Sequence, residues 1–241
     1  MKLVKHSGFF IAIAMILFSC NKPGETVETS EAEVAAEAVG KALTIDTNAT
    51  QIVWRGYKPT GQHFGQIPPI EGNLAVMGNE ITGGKFTFDI TRLTVEDMEE
   101  GTEFHGKLWG HLQSEDFFDA GNHPTATFEI TSVEPFAAGD MVSDMDQFET
   151  ENTPKSATSL SPSNPTHWIS GNLTMRGTTK NIKFPATVAM ENGVVTAKAG
   201  FNIDRTNWGL SYNDEANAVD KAKDQFIYNT VSLELDVKAS E

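Results

Sequence analysis

The chain is 241 residues long, with 33 acidic against 18 basic side chains and a formal net charge of −15. A surface this acidic repels nucleic acid and anionic lipid, so neither is an expected partner of the folded body. Cys20 is the single cysteine, which excludes a disulfide within the chain.

The first residues read as an address rather than as structure. Lys2 and Lys5 give a positive start, Phe9 to Phe18 is an uncharged apolar run, and Leu17-Phe18-Ser19-Cys20 closes it. That run is too short to span a bilayer, which takes about 20 apolar residues. Residues 1–19 resemble a bacterial lipoprotein signal, whose cleavage leaves a lipid-modified Cys20 as the new first residue; an ordinary secretory signal is the alternative. A lone cysteine at this place is better explained as a lipid attachment point than as a redox group. Each buried CH₂ of an acyl chain contributes about 0.8 kcal/mol, so several chains on one cysteine hold a protein on a membrane almost permanently. Asn21 is not the aspartate associated with inner-membrane retention, which favours the outer membrane, on its periplasmic face or at the cell surface. Residues 20–42 are acidic, rich in small side chains and free of aromatics, and read as a solvated spacer. About 200 residues then remain, the size of one all-β domain.

From Thr44 onward the pattern is mostly period two. Ile52, Trp54 and Gly56 fall on one side of a first strand, with Val53, Arg55 and Tyr57 on the other. Further alternating runs follow at Phe86-Phe88-Ile90, Ala126-Phe128-Ile130, Ile169 to Met175, Ile182 to Met190, Val195 to Ile203 and Ile227 to Val237. Gly78-Asn79, Gly177-Thr178-Thr179 and Asn192-Gly193 separate them, the last being a strong two-residue hairpin signal. Hairpin connections imply an antiparallel sheet.

One segment breaks the rhythm. Thr102 can cap a helix in which Phe104, Leu108 and Leu112 recur every four residues, although Gly106 and Gly110 weaken it. A second short helix is expected at Asp214 to Lys223. Residues 137–167 form a long polar insertion, read as a mobile surface loop. About eight alternating strands leave two architectures, a sandwich or a closed barrel, and a barrel of that size can be filled by side chains or hold one ligand.

Five blocks of residues are more specific than alternation. They are Trp54-Arg-Gly-Tyr-Lys58 with Gly61-Gln-His-Phe-Gly65; Gly84-Lys-Phe-Thr-Phe-Asp89; Gly110-His-Leu112 with Asp116-Phe-Phe-Asp119 and Pro124-Thr-Ala-Thr-Phe128; Gly171 to Thr179 running into Phe184-Pro185; and Phe201 to Gly209. In this order they resemble the YceI-like family, covering nearly all of residues 50–238 within a domain expected at 43–241. The chain departs from the common family form in its Trp-Arg-Gly-Tyr-Lys opening and in the 137–167 insertion. The resemblance implies an all-β fold, an antiparallel lipocalin-like β-barrel of about eight strands with one or two short helices. It also implies non-catalytic binding of an isoprenoid lipid or quinone in an elongated cavity.

Such a cavity needs apolar and aromatic walls. Candidate wall residues are Trp54, Phe86, Phe88, Phe128, Leu173, Phe184, Phe201, Ile203 and Trp208, each of which is equally at home as plain core. The resemblance places His63 near the mouth, where it could bond a head group. Arg205 and Lys58 are further polar candidates, although Arg205 after Asp204 can simply form an ion pair. Gly177 reads as a turn and Gly209 as a bulge. His105, His111 and His123 fit no tight metal-ligand spacing, and Asp116 and Asp119 are better read as solvated loop residues, so no metal or other cofactor is expected. There is no G-x-S-x-G elbow, phosphate-cradling loop or dinucleotide fingerprint. No catalytic residue is therefore assigned. Two other readings stay open, an enzyme acting on a bound lipid and a filled barrel serving as an interaction module; a homodimer is compatible with each.

Overall fold

The computed structural model describes residues 25–137, 152–215 and 226–241. Its strands are β1 (Thr29–Glu31), β2 (Lys41–Ile45), β3 (Gln51–Lys58), β4 (Gly61–Gln66), β5 (Pro69–Met77), β6 (Glu80–Asp89), β7 (Thr125–Pro135), β8 (His167–Met175), β9 (Thr178–Glu191), β10 (Val194–Asp204) and β11 (Thr230–Ser240). Two helices join them, α1 (Glu103–Gln113) and the short α2 (Ala157–Leu160).

Every pairing is antiparallel. The ladder β5–β6–β7–β8–β9–β10–β11–β2 returns to β5 and closes an eight-stranded barrel. β2 and β3 meet β11 in succession, β2 through Ala239–Ile45 and β3 through Val231–Gly56 to Asp236–Gln51. Closure follows from the turn chemistry as much as from alternation. Arg176-Gly177 joins β8 to β9 and Asn192-Gly193 joins β9 to β10, with all four residues at positive φ. Two-residue turns of that kind match the right-handed twist of the flanking strands.

The two barrel ends differ. At one, Leu43, Ile45, Leu74, Val76, Val195 and Ala239 are buried together and close the interior. At the other lie the β3–β4 hairpin, α1 and the connection that follows β10. α1 begins where the sequence places it, with Thr102 Oγ1 accepting a hydrogen bond from the His105 amide at 3.3 Å. Among the described residues, no helix is long and apolar enough to cross a membrane.

Two expectations need correction. The acidic stretch before the barrel is not a solvated spacer over its described part; residues 25–40 form a belt around the outer wall, and Lys41 and Ala42 already belong to β2. β10 pairs with β9 only between Ala199–Ala186 and Val194–Glu191, which leaves the first half of β9 without a neighbour on that side. Unpaired strand backbone needs partners. β1 supplies them through Thr29–Ile182 to Glu31–Lys180. Beyond it, Glu33 exchanges hydrogen bonds with the Asn172 amide, the Ala36 amide donates to the Ile130 carbonyl, and Val39 receives Thr82 Oγ1. The small side chains that looked like spacer composition are what let this backbone lie flat: Ala38 rests on Gly83, where an added Cβ would stand 3.1 Å from its Cα.

The 137–167 insertion is likewise docked over its described part. Leu160 of α2 is buried, and its carbonyl lies so close over Gly200 of β10 that an added Cβ would be 2.1 Å away. Beneath the insertion, the Lys155 amide donates to Tyr57 Oη at 3.4 Å, which lies 2.8 Å from Ser232 Oγ, and Ser232 donates to Asn202 Oδ1 at 2.7 Å. Asn202 Nδ2 completes the network by donating to the carbonyls of Lys155 and Glu25. Insertion, belt and wall are thus joined through one buried amide. The helix expected at Asp214 to Lys223, the signal and Cys20 fall largely or wholly outside the described residues.

Candidate functional site

The barrel encloses a cavity of about 450 Å³, within the range of sites that hold small organic ligands. Strand alternation decides which side chains face it. From β3 come Ile52 and Trp54, from β6 Phe86 and Phe88, from β7 Ala126, Phe128 and Ile130, and from β8 Ile169 and Leu173. β9 contributes Ile182, Phe184 and Ala186, β10 Ala199, Phe201 and Ile203, and β11 Val231, Leu233, Leu235 and Val237. The aromatic rings are concentrated on one side. Phe86, Phe128, Phe184 and Phe201 form a continuous row across β6, β7, β9 and β10, with successive centroids 6.4, 5.7 and 4.2 Å apart.

Glycine makes room for this row. A Cβ on Gly171 of β8 would come within 2.2 Å of the Phe128 ring, and one on Gly72 of β5 within 2.8 Å of Phe86. The rings lie flat against neighbouring strands instead of filling the interior.

Most polar groups gather at the open end, where the half-exposed Lys58, His63 and His111 and the exposed Tyr212 and Asn213 reach the cavity, while the exposed Lys198 borders it from the middle of β10. His63 Nδ1 lies 2.7 Å from Asp97 Oδ2, and the other Asp97 oxygen accepts the Phe64 amide at 3.0 Å. That carboxylate fixes the ring and leaves Nε2 as the second bonding position. His111 is oriented in a similar way, with Nε2 3.0 Å from Asp116 Oδ2 and its ring edge-on to Phe117 and Tyr212. Leu108 and Leu112 of α1 and Phe117 complete the cover.

Eight of the nine wall candidates read from the sequence line this cavity, and Trp208 does not. After Asp204 the chain leaves β10 in a 3-10 turn, Arg205–Trp208, with the Asp204 carboxylate capping it through the Thr206 amide and hydroxyl. The turn carries Trp208 away from the inward row. Its indole is fully buried and donates to the Leu173 carbonyl at 2.9 Å, so Trp208 is core between the 3-10 turn and the wall.

Arg205 borders the cavity, but its guanidinium is committed elsewhere. Nε donates to the Tyr228 carbonyl, Nη1 to Leu210, and Nη2 to Tyr212 and Ile227. Burial lowers its pKa below the usual arginine value, opposed by the charges of Asp214, Asp204 and Glu215. The geometry makes Arg205 a staple for the chain between β10 and β11 rather than a head-group ligand, and Asp204 is engaged as a cap. Gly209 is the left-handed end of the 3-10 turn, at φ 76°, and not a bulge.

Sequence reading missed β11 as a wall, together with His111, Phe117 and Tyr212. The period-two run from Val231 to Val237 was a usable signal for the first. Nothing local marks the others, since they meet only through the fold. His105, His111 and His123 do not converge, and among the described residues no group of three or more His, Cys, Asp or Glu could hold a metal ion.

A closed antiparallel barrel with an apolar interior open at one end is a lipocalin-like barrel. The YceI-like domain model matches residues 43–239, and the chain belongs to that family. Among solved structures, the chain is similar to a polyisoprenoid-binding domain from Saccharophagus degradans implicated in plant cell wall breakdown, at 12% identity and TM-score 0.53, covering 82% of this chain and 97% of that one. It is also similar to Burkholderia cenocepacia BcnA, at 14% identity and TM-score 0.47 with 81% and 99% covered. Campylobacter jejuni YceI protein matches at 17% identity and TM-score 0.42, with 73% and 87% covered. A search of curated proteins found no match.

Proposed function

We propose that this protein is a non-catalytic carrier that sequesters an isoprenoid lipid or isoprenoid quinone, tethered through a lipidated Cys20 to the outer membrane. One observation carries the cargo reading: a cavity of about 450 Å³ whose walls are predominantly aromatic and aliphatic, with most of its polar groups at the mouth and Lys198 of β10 bordering it further along the wall. Moving an apolar chain from water into such a space yields about 25 cal/mol per Å² removed from water. A few isoprene units therefore offset the ordering costs of binding. A head group that stays at the mouth meets His63 and His111, whose carboxylate partners hold the rings in place. The Saccharophagus degradans relative's polyisoprenoid binding and the YceI-like family membership support the same class of cargo.

The open volume weighs against a filled barrel acting only as an interaction module. The enzyme alternative draws on the two histidine–carboxylate pairs at the mouth. Native mass spectrometry of the domain made in a bacterial periplasm, followed by lipid extraction, tests the proposal. A stoichiometric isoprenoid is the expected result. A protein that stays empty after incubation with quinones and prenyl lipids would overturn the carrier reading, and conversion of a bound lipid to a new product would favour the enzyme.

A further inference from the structure

The free volume of the barrel is not spread evenly around its axis. Phe184 and Phe201 press on each other and are 4% and 3% exposed. Val231, Leu233, Leu235 and Val237 of β11 also line the cavity, yet all four are half-buried. The open channel therefore runs along β11. From Val231 at the mouth to Val237 it extends about 20 Å at the rise of a β-strand.

Register shows where the channel stops. Residues paired across antiparallel strands stand side by side on one face of the sheet. Ala199 of β10 pairs with Ala186 of β9 and Leu235 of β11, and one row deeper Ala197 pairs with Val188 and Val237. Both rows line the cavity. The next row, Met190, Val195 and Ala239, does not. Val195 and Ala239 are 1% and 0% exposed and pack with Leu43 and Ile45 in the cluster that closes this end. Val188, Ala197 and Val237 thus form the base of the channel on this side, with Leu74 of the closing cluster and Ile81 packed against it lining the cavity as well. Ala197 is the smallest of the three, and it is half-buried, so its methyl group meets open volume rather than packed core.

The base is also apolar. Lys198 borders the cavity from the next position, but its Nζ lies 2.8 Å from Asp236 Oδ2 in an exposed ion pair on the outer face. A polar head group brought to this depth would lose water without gaining a partner. An isoprenoid therefore enters tail first and leaves its head at the mouth.

We propose that Ala197 sets the length of chain this barrel accepts, by receiving the far end of the isoprenoid on the row it shares with Val188 and Val237. This rests on the carrier reading above. A chain that spans the channel fills it from mouth to base; each further isoprene unit has to stay outside, in water, and adds no burial. A leucine at 197 adds most of the carbons of one isoprene unit, placed in the space that the last unit occupies.

The full chain is offered an equimolar mixture of geraniol, farnesol, geranylgeraniol and geranylfarnesol in common detergent micelles, and the bound masses are counted by native mass spectrometry. For the native chain, occupancy should climb with length and then level off. Ala197→Leu should lower the ratio of the longest alcohol retained to the next shorter one by about tenfold or more, and Ala197→Val, the milder change should leucine impair folding, should lower it by less. Because the readout is a ratio within one sample, loss of folded protein does not imitate the shift. Unchanged ratios in both variants, or an equal loss at every length, would overturn the proposal. A native chain that takes up none of the alcohols would overturn the carrier reading itself, and this inference with it, so the two failures are told apart by whether the native chain is loaded.

Discussion

Phe184 of β9 and Phe201 of β10 stack with centroids 4.2 Å apart and ring planes inclined by only 15°. They sit just past the point where the β9–β10 ladder stops at Ala199–Ala186, so the stack holds the two strands together on the cavity side while β1 and the 3-10 turn occupy the opening outside. Phe201→Ala removes one ring from wall and seam together. It is expected to cost about 3 kcal/mol, toward the low end for a buried phenylalanine because one side of the ring already faces open volume. The urea midpoint measures the loss, and an unchanged midpoint would show that the seam is held by β1 alone.

The contact between Phe128 and Gly171 gives a test of cavity shape. Gly171→Ala places a methyl group where the Phe128 ring lies, 2.2 Å from its edge. The ring has to swing toward the cavity, so bound lipid per protein should fall and stability should drop by about 1 to 3 kcal/mol. Combining it with Phe128→Ala removes the clash, and the double variant should be more stable than the sum of the single losses predicts. Strict additivity would mean that the ring and the glycine do not interact as described.

Tyr228 provides a pH dependence with a definite sign. Its hydroxyl is pushed above the usual tyrosine value of 10.0, first by burial and then by the Glu215 carboxylate. The folded state therefore favours the neutral phenol more than the unfolded chain does. That contribution is fully present below pH 10.0 and is lost as pH rises toward and through the higher folded value. Denaturant midpoints from pH 8 upward should decline more steeply for the native chain than for Tyr228→Phe. Parallel profiles would remove Tyr228 from the account.

How far the sequence could be read follows from the range over which each signal acts. Alternation at Phe86-Phe88, Ala126-Phe128 and Phe201-Ile203 puts these side chains on a common face, and barrel closure makes that face the interior, so the wall was legible from local pattern. Trp208 was misread because period two was carried past Asp204, where the carboxylate caps a turn and ends the strand. Arg205 was misread for a different reason: its carbonyl partners at Leu210, Tyr212, Ile227 and Tyr228 lie 5 to 23 residues away and leave no mark in its own neighbourhood. The belt was hidden by its composition, since alanines and glutamates that suit a solvated spacer also suit a backbone that must approach Gly83 closely. Its partners, Asn172 and Asn202, are single polar residues on outward faces, and nothing in their local sequence marks them as contacts for another segment.

Asn202 is where that hidden architecture can be tested. It is 1% exposed and accepts from Ser232 while donating to the carbonyls of Glu25 and Lys155. Asn202→Ala takes away the donor to the part-buried Glu25 and Lys155 carbonyls and the acceptor for Ser232, which keeps Tyr57 Oη, at a cost of about 1 to 3 kcal/mol. The structure can relieve part of this by releasing the belt and the insertion into water. Hydrogen exchange over 25–31 and 152–160 should therefore accelerate by at least tenfold, while β6 to β8 keep their protection. Asn202→Asp separates packing from donation, because it preserves shape and acceptor but puts a carboxylate against two carbonyls; it should loosen both segments at least as much. If either variant left the exchange of 25–31 unchanged, the belt would be held by the β1–β9 pairing alone.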